Sequence, residues 1–401
     1  MKIGIIREGK TPPDSRVPLT PKQCKYVTEN FPVEITVKPA NGRCYKNTEY
    51  RTEGVKMSDY LSDCEVLMGV KEVPISQLSL RKTYFFFSHT IKKQPYNRDL
   101  LQACVDRKIR LIDYEALVDE NGKRLIAFGK FAGMVGAHNG VLTYGRRTGN
   151  FSLTRMHKLY DYAAAKEIYR NTDWGKMKIV LTGTGRVGSG AAMVLDDMGI
   201  RKVNPQEFLE NEYAEAVYTQ LGCEHYAARK DGGAFVKQDF FDNPQDYESI
   251  FAPYAAAANV MINGIYWDNE APAFFTLEEM QTDDFNIEVI ADVTCDIAPV
   301  SSIPATVDAS TIADPIFGFD PTTGEKTDAF DEAGVDMMTI DNLPNELPRD
   351  ASEAFGEQFI ENILPELLKP DSAVIKRATV TENGDLGAHF EYLRDYLEGR
   401  E

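Results

Sequence analysis

Paired cysteines, metal-ligand spacings, long apolar runs and an excess of positive charge are all missing from this sequence, and each absence narrows what the chain can be. The six cysteines, Cys24, Cys44, Cys64, Cys104, Cys223 and Cys295, are scattered and form no C-x-x-C pair, so neither a disulfide framework nor a zinc ribbon is expected. The five histidines, His89, His138, His157, His225 and His389, show no ligand spacing, and no bound metal is expected. No apolar run approaches the roughly 18–20 residues that a membrane helix needs. Met1 to Ile6 passes straight into a strand-like run with no signal-peptide pattern, which reads as a cytoplasmic protein. Lysine and arginine number 44 against 62 aspartates and glutamates, a formal net charge of −18. A surface of that sign repels nucleic acid and anionic membranes, so the expected partner is a small molecule. Whether the chain is a monomer or a homo-oligomer is left open by the sequence.

What is present reads as α/β. At 401 residues the chain is too long for one ordinary core, and two domains are the default. Lys2–Ile6, Val33–Val37, Val66–Val70, Tyr84–Phe87 and Ile109–Ile112 are strand candidates, with helices over Pro21–Asn30 and Asn97–Arg107 between them. The stretch 131–148, with Gly133, Gly136 and Gly140, suits a helix that packs closely or links domains. A second α/β unit starts at Lys178, with later strands over Asn259–Asn263, Val289–Val293 and Met337–Ile340. The stretch 205–258 is too long for a plain loop and is expected to hold helices over Tyr213–Leu221 and Tyr247–Tyr254. Ala351–Leu368 is amphipathic and helical, with Pro365 bending or ending it.

Two segments carry chemistry. In the first, the aromatic strand Tyr84–Phe87 ends at His89, with Lys92 and Lys93 just beyond. Strand ends are where α/β enzymes place catalytic side chains. In the second, the apolar strand Lys178–Leu181 runs into Gly183-Thr184-Gly185-Arg186-Val187-Gly188 and then an apolar helix. The first glycine of such a turn permits the bend, the second lets backbone approach a pyrophosphate, and the third lets helix and strand pack. Gly183, Gly185, Arg186, Val187 and Gly188 are therefore candidate dinucleotide contacts. An acid for the ribose hydroxyls is expected about 20 residues on. Asn204 falls there and Glu207 slightly later, so NAD and NADP both remain open. Asp341, after a strand and before Pro344, is a further candidate coenzyme contact; a plain turn is its other reading. A histidine strand and a nucleotide turn in one chain point to a dehydrogenase.

With those segments in hand, the chain resembles the alanine dehydrogenase and transhydrogenase superfamily. Arg7-Glu8, Arg16-Val17-Pro18-Leu19-Thr20-Pro21 and Gly69-Val70-Lys71-Glu72-Val73-Pro74 carry that likeness. More narrowly it resembles saccharopine dehydrogenases of the lysine-forming type, including lysine–ketoglutarate reductase domains. That likeness rests on Phe86-Phe87-Ser88-His89-Thr90-Ile91-Lys92, Leu111-Ile112-Asp113-Tyr114-Glu115, Ala127-Phe128-Gly129, Ile262-Asn263-Gly264-Ile265-Tyr266-Trp267 and Ile340-Asp341-Asn342-Leu343-Pro344.

The resemblance implies two Rossmann-like domains with parallel sheets flanking a central cleft. Residues 1–132 plus 345–401 would form the substrate domain, and 133–344 the dinucleotide-binding domain. It implies an NAD(P)-dependent oxidoreductase acting on a CH–NH group, interconverting saccharopine with L-lysine and 2-oxoglutarate. It also implies that Lys71 and His89 are the acid–base pair. Arg16 would be the cation that depresses Lys71. Saccharopine carries three carboxylates, so Arg16, Lys92 and Arg124 are candidate clamps, and Glu115 either balances this basic cluster or caps a helix. Lys93 and Arg98 read as solvated. The rival readings are an alanine dehydrogenase working on pyruvate and ammonia, and a non-catalytic dinucleotide-binding subunit.

Overall fold

Lys2–Ile5 is a short apolar run whose last three residues are fully covered, and around it the first sheet is built. The computed structural model describes residues 1–400. Along the chain the strands are β1 (Lys2–Ile5), β2 (Glu34–Val37), β3 (Lys56–Met57), β4 (Val66–Met68), β5 (Thr83–Phe86), β6 (Arg110–Asp113), β7 (Met177–Thr182), β8 (Arg201–Lys202), β9 (Ala216–Leu221), β10 (Ala227–Arg229), β11 (Tyr247–Ser249), β12 (Val260–Asn263), β13 (Val289–Asp292), β14 (Phe317–Asp320), β15 (Glu325–Thr327), β16 (Val335–Met338), β17 (Thr379–Glu382) and β18 (Asp385–Leu386). They fall into two compact units, one made of Met1–Phe128 with the chain from Pro348 onward, the other of Gly129–Leu347.

The first unit holds one sheet in the order β18-β17-β6-β5-β4-β1-β2-β3. β1 to β6 pair in parallel, while β17 and β18 add an antiparallel edge. Helix Pro21–Asn30 follows β1. Thr20 caps it by accepting from the Gln23 amide, and the Gln23 side chain reciprocates at the Thr20 N–H. The C-terminal helix Pro348–Gln358 widens into a π turn over Phe359–Ile363 before resuming at Leu364–Leu367. Pro365 has no N–H to give the preceding turn, so the ladder shifts ahead of it.

The second unit holds a sheet in the order β15-β14-β16-β13-β12-β7-β9-β8. It is parallel except for β14 and β15. Both sheets are thus mixed and mostly parallel, an α/β architecture. The Gly129–Thr148 helix is buried from Gly133 to Gly145 and lies against helix Arg186–Asp197. A Cβ on Gly133 would stand 1.8 Å from the Val187 carbonyl oxygen, and one on Gly190 2.0 Å from that of Lys130. The two backbones meet because neither position carries a side chain.

The stretch 205–258 departs from expectation. Tyr213–Leu221 is not a helix: Ala216–Leu221 is β9, the immediate neighbour of β7. Tyr247–Tyr254 is likewise mainly strand and loop, with β11 over Tyr247–Ser249 and a short helix only from Ala252 to Ala257. β10 and β11 form a small antiparallel ribbon closed by Phe235, Phe240 and Tyr247.

Candidate active site

The first unit gathers its ionisable residues at the C-terminal ends of β1, β4, β5 and β6, where parallel sheets place ligand-binding groups. Just past β1, the carboxylate of Glu8 accepts the backbone N–H of Val70 at 2.7 Å and of Lys71 at 2.9 Å. It therefore pins the chain leaving β4. Burial pushes the Glu8 carboxyl up to about 7, against the lowering effect of those two amides. Burial also lowers the Lys71 ammonium, and the Arg16 guanidinium lowers it further.

His89 lies just beyond β5 in a left-handed conformation, φ 53°. The preceding residue is locked: Ser88 gives both its N–H, at 2.8 Å, and its hydroxyl, at 2.5 Å, to the buried carboxylate of Asp113 at the end of β6. The His89 ring points Nδ1 at Glu72 Oε1, 2.6 Å away. Lys10 reaches the same carboxylate at 2.9 and 2.8 Å. Burial alone would raise Glu72, but the bonds from His89 and Lys10 outweigh it and hold the carboxyl at about 2.

Arg16 is buried in a two-point pair with Asp14, Nε to Oδ1 at 3.0 Å and Nη2 to Oδ2 at 2.6 Å, and lies 4.2 Å over the Phe128 ring. Lys92 and Arg124 both approach Glu115 Oε1 at 3.5 Å. Glu115 thus balances the basic pair, and the carboxylate that caps the turn after β6 is Asp113, accepting from the Glu115 amide. Glu8 and Glu72 lie within the quoted motifs without a role assigned to them there, and Lys10 lies outside them; the structure brings all three beside Lys71 and His89. Glu72 directly follows Lys71, and that adjacency is the available signal.

In the second unit each glycine of the turn has its own reason. Gly183 has φ +97°, and a Cβ there would meet the Gly264 carbonyl oxygen at 2.4 Å. A Cβ on Gly188 would meet the Gly183 carbonyl oxygen at 2.0 Å. Gly185 precedes the first turn of helix Arg186–Asp197, and a Cβ there would have nothing within 4 Å, so its backbone borders open space. That space continues into a cavity of about 570 Å³ lined by Gly183 to Gly185, Gly222 and Cys223, with Tyr226, Phe240, Phe241 and Trp267 as aromatic walls. An anion-accepting helix start, an open glycine and an apolar, aromatic chamber are what a dinucleotide's pyrophosphate and adenosine need. The residues present fit such a group.

The remaining candidates divide. Arg186 opens the helix, and Val187 packs on Gly264, with Cγ1 2.9 Å from where a Cβ would stand. Asn204 is not brought to the turn. It lies beyond edge strand β8, with β9 between β8 and β7, and its side chain caps the short helix Pro205–Glu210 by accepting from the Glu207 amide at 2.8 Å. Glu207 answers it in the same capping box, so both side chains are engaged in holding the start of that helix. Asp341 is exposed, one residue past Ile340, which bridges Ser310. At the ends of β7, β12 and β13, buried Asn263 accepts from Thr182 at 2.7 Å and donates to Asp292 at 3.0 Å, fixing the strand ends beside the turn.

Residues 4–135 match the family described as alanine dehydrogenase/PNT, N-terminal domain. The mitochondrial alpha-aminoadipic semialdehyde synthase of Mus musculus is 30% identical over an alignment that takes in 100% of this chain and 48% of the relative. The alpha-aminoadipic semialdehyde synthase of Arabidopsis thaliana is 29% identical over 98% of this chain and 41% of its own length. The chain therefore spans about half the length of these curated relatives. The saccharopine dehydrogenase [NAD(+), L-lysine-forming] of Emericella nidulans is 26% identical over 94% of this chain and 95% of its own. Among solved structures, an L-alanine dehydrogenase superposes with a TM-score of 0.64 at 16% identity, covering 99% of both chains. A transhydrogenase from Sinorhizobium meliloti superposes with a TM-score of 0.58 at 13% identity, covering 96% of this chain and 98% of its own. The last two share the fold. Residues 4–135 are thus similar to that N-terminal domain family, and along its whole length the chain is similar to alpha-aminoadipic semialdehyde synthases and lysine-forming saccharopine dehydrogenases.

Proposed function

We propose that the protein is an NAD(P)-dependent oxidoreductase of a CH–NH bond that interconverts saccharopine with L-lysine and 2-oxoglutarate. The observation that carries the reading is the pairing, in one unit, of a buried Lys71 lowered by burial and Arg16 with a His89 held by Glu72. In this reading Met1–Phe128 with the C-terminal segment handles the substrate, and Gly129–Leu347 holds the dinucleotide. When bound, the coenzyme exchanges a hydride with the carbon of the C–N bond. The chain's own residues manage the protons. A lysine with a lowered pKa is present in part as the neutral amine and takes a proton from the substrate nitrogen. With Glu72 accepting from Nδ1, neutral His89 carries its proton there and keeps Nε2 as the acceptor for a water attacking the imine. Arg16, Lys92 and Arg124 are the cations for the substrate carboxylates, and Glu115 holds the last two in place.

The test is absorbance at 340 nm with NADH or NADPH, offering L-lysine plus 2-oxoglutarate in one arm and pyruvate plus ammonia in the other. Oxidation of reduced coenzyme only in the lysine arm is expected. Efficient turnover of pyruvate and ammonia, with none on lysine and 2-oxoglutarate, would replace this reading by an alanine dehydrogenase. Binding without turnover in either arm would leave a dinucleotide-binding subunit.

A further inference from the structure

We infer that the first unit carries an anion-binding site apart from the candidate active site, at the other end of its sheet. Its ligand is a small polyvalent anion, either a phosphate-bearing compound or a di- or tricarboxylate. The inference does not depend on the catalytic reading. β5 and β6 are parallel neighbours with Thr83 opposite Arg110, so both begin at one end of the sheet. β17 runs antiparallel to β6 and therefore ends there. Lys71 and His89 follow the opposite ends of β4 and β5. Around the strand starts lies a cavity of about 380 Å³, lined by Arg81, Lys82, Lys108 and Arg110, with Glu382 as the carboxylate among its walls. That volume suits a small molecule.

The cations there are poorly matched by the protein itself. Arg81 and Lys108 are exposed, and among the described residues neither side chain makes a hydrogen bond or an ion pair. Arg110 stands 4.0 Å from Glu382, too far for a hydrogen bond, and its Nε is covered without a partner. Lys82 is held by the carbonyls of Ser62 at 2.6 Å and Cys64 at 2.7 Å, so it is fixed in place and adds its charge. A chain with 62 acidic residues against 44 basic ones has carboxylates enough to neutralise every cation. Four cations about one recess, facing one carboxylate, instead repel one another, and a bound anion relieves that repulsion. Two guanidinium forks and an ammonium suit an anion with several oxygens rather than a monovalent one. Asn383, in the turn between β17 and β18, lines the same cavity. The anion therefore sits between the C-terminal segment and the starts of β5 and β6, and its binding should stabilise their junction.

Titration calorimetry of the whole chain with inorganic phosphate, pyrophosphate and citrate, and with acetate as the monovalent control, tests this without any turnover. Wild type is expected to bind at least one of the polyvalent anions and to melt at a higher temperature in its presence. Binding of pyrophosphate alone assigns the phosphate class, and binding of citrate alone the carboxylate class. Arg81→Gln and Arg110→Gln should each weaken that binding at least about tenfold, as loss of a charge-assisted contact requires. Glu382→Gln, which removes the opposing carboxylate and keeps both arginines, should tighten it, and this variant reports on the site even should an arginine variant fail to fold. Arg124→Ala and Gly185→Val, which alter the candidate active site and the glycine turn, should leave it unchanged. Absence of binding by all three polyvalent anions would overturn the assignment, as would acetate binding equally well. So would binding that survives in Arg81→Gln and Arg110→Gln, or that is lost in Arg124→Ala or Gly185→Val.

Discussion

His89 Nδ1 stands 2.6 Å from Glu72 Oε1, and Lys10 holds the same carboxylate at 2.9 and 2.8 Å. The imidazole is thereby fixed in orientation and tautomer by a group beyond the end of the neighbouring strand, 17 residues earlier in the chain. Lys71→Met and His89→Gln should each lower turnover at least about 10²-fold, the lower range for an acid–base group. Calorimetric affinity for the coenzyme should be unchanged, since neither residue lies on the glycine turn. Near-normal turnover in either variant removes its assigned role.

Two carboxyls in this unit give stability opposite dependences on pH. Glu72 is held at about 2, below its ordinary 4.5, so its contribution is full above 4.5 and is lost as the pH falls toward 2. Glu8 is raised to about 7, so folding favours its protonated form, and its contribution is full below 4.5 and is lost as the pH rises through 7. Each effect is on the order of 3 kcal/mol. Urea unfolding of wild type should show the Glu8 decline between pH 4.5 and 7, and Glu8→Gln should flatten it. Below pH 4.5, where the wild-type contribution is full, the variant should be weaker by about 1–3 kcal/mol, because one amide has only one acceptor for two N–H groups. An unchanged slope in the variant would show that Glu8 does not titrate in this window.

The glycines separate binding from folding. Gly185→Val should retain the wild-type melting temperature, since nothing lies within 4 Å of a Cβ there, yet abolish coenzyme binding by filling the open space. Gly133→Ala should do the reverse in kind: a Cβ 1.8 Å from the Val187 carbonyl oxygen forces two helices apart, costing about 1–3 kcal/mol or more. Differential scanning calorimetry beside a coenzyme titration reads both. A destabilised Gly185→Val or a fully stable Gly133→Ala would contradict this assignment.

Lys92 and Arg124 share Glu115, and both are partly exposed, so each should contribute modestly to holding a carboxylate. Lys92→Ala and Arg124→Ala should raise KM for 2-oxoglutarate or saccharopine at least about tenfold, the low end for a charge-assisted contact. The coenzyme KM should move far less. Steady-state kinetics with each substrate varied in turn is the measurement, and a change confined to the coenzyme would reassign both residues.

Much of the fold is legible where one local signal dominates. Pro21–Asn30 announces itself by a proline in the first turn and a Thr20/Gln23 capping box. The strand before the glycine turn is a run of apolar residues ending at that turn, and it is found there. Ala216–Leu221 reads as helix because Tyr213, Val217 and Leu221 recur at helical spacing. As a central parallel strand it is covered on both faces, so the alternation that marks a half-buried strand is absent. Glu72 illustrates the other limit. Its role depends on Lys10, after β1, and His89, after β5, being brought to the end of β4, and strand order is not written in any one segment.

The first sheet also imposes an order of assembly. β6 finds its outer neighbour only when β17 has been made, and Thr381 donates its hydroxyl to the Ile109 carbonyl across 272 residues of chain. The Gly129–Leu347 unit is continuous and emerges from the ribosome whole within that interval. During synthesis the earlier unit therefore waits with an open strand edge while the later one closes, which makes the edge of β6 the point at which a stalled or truncated nascent chain is exposed to misassociation.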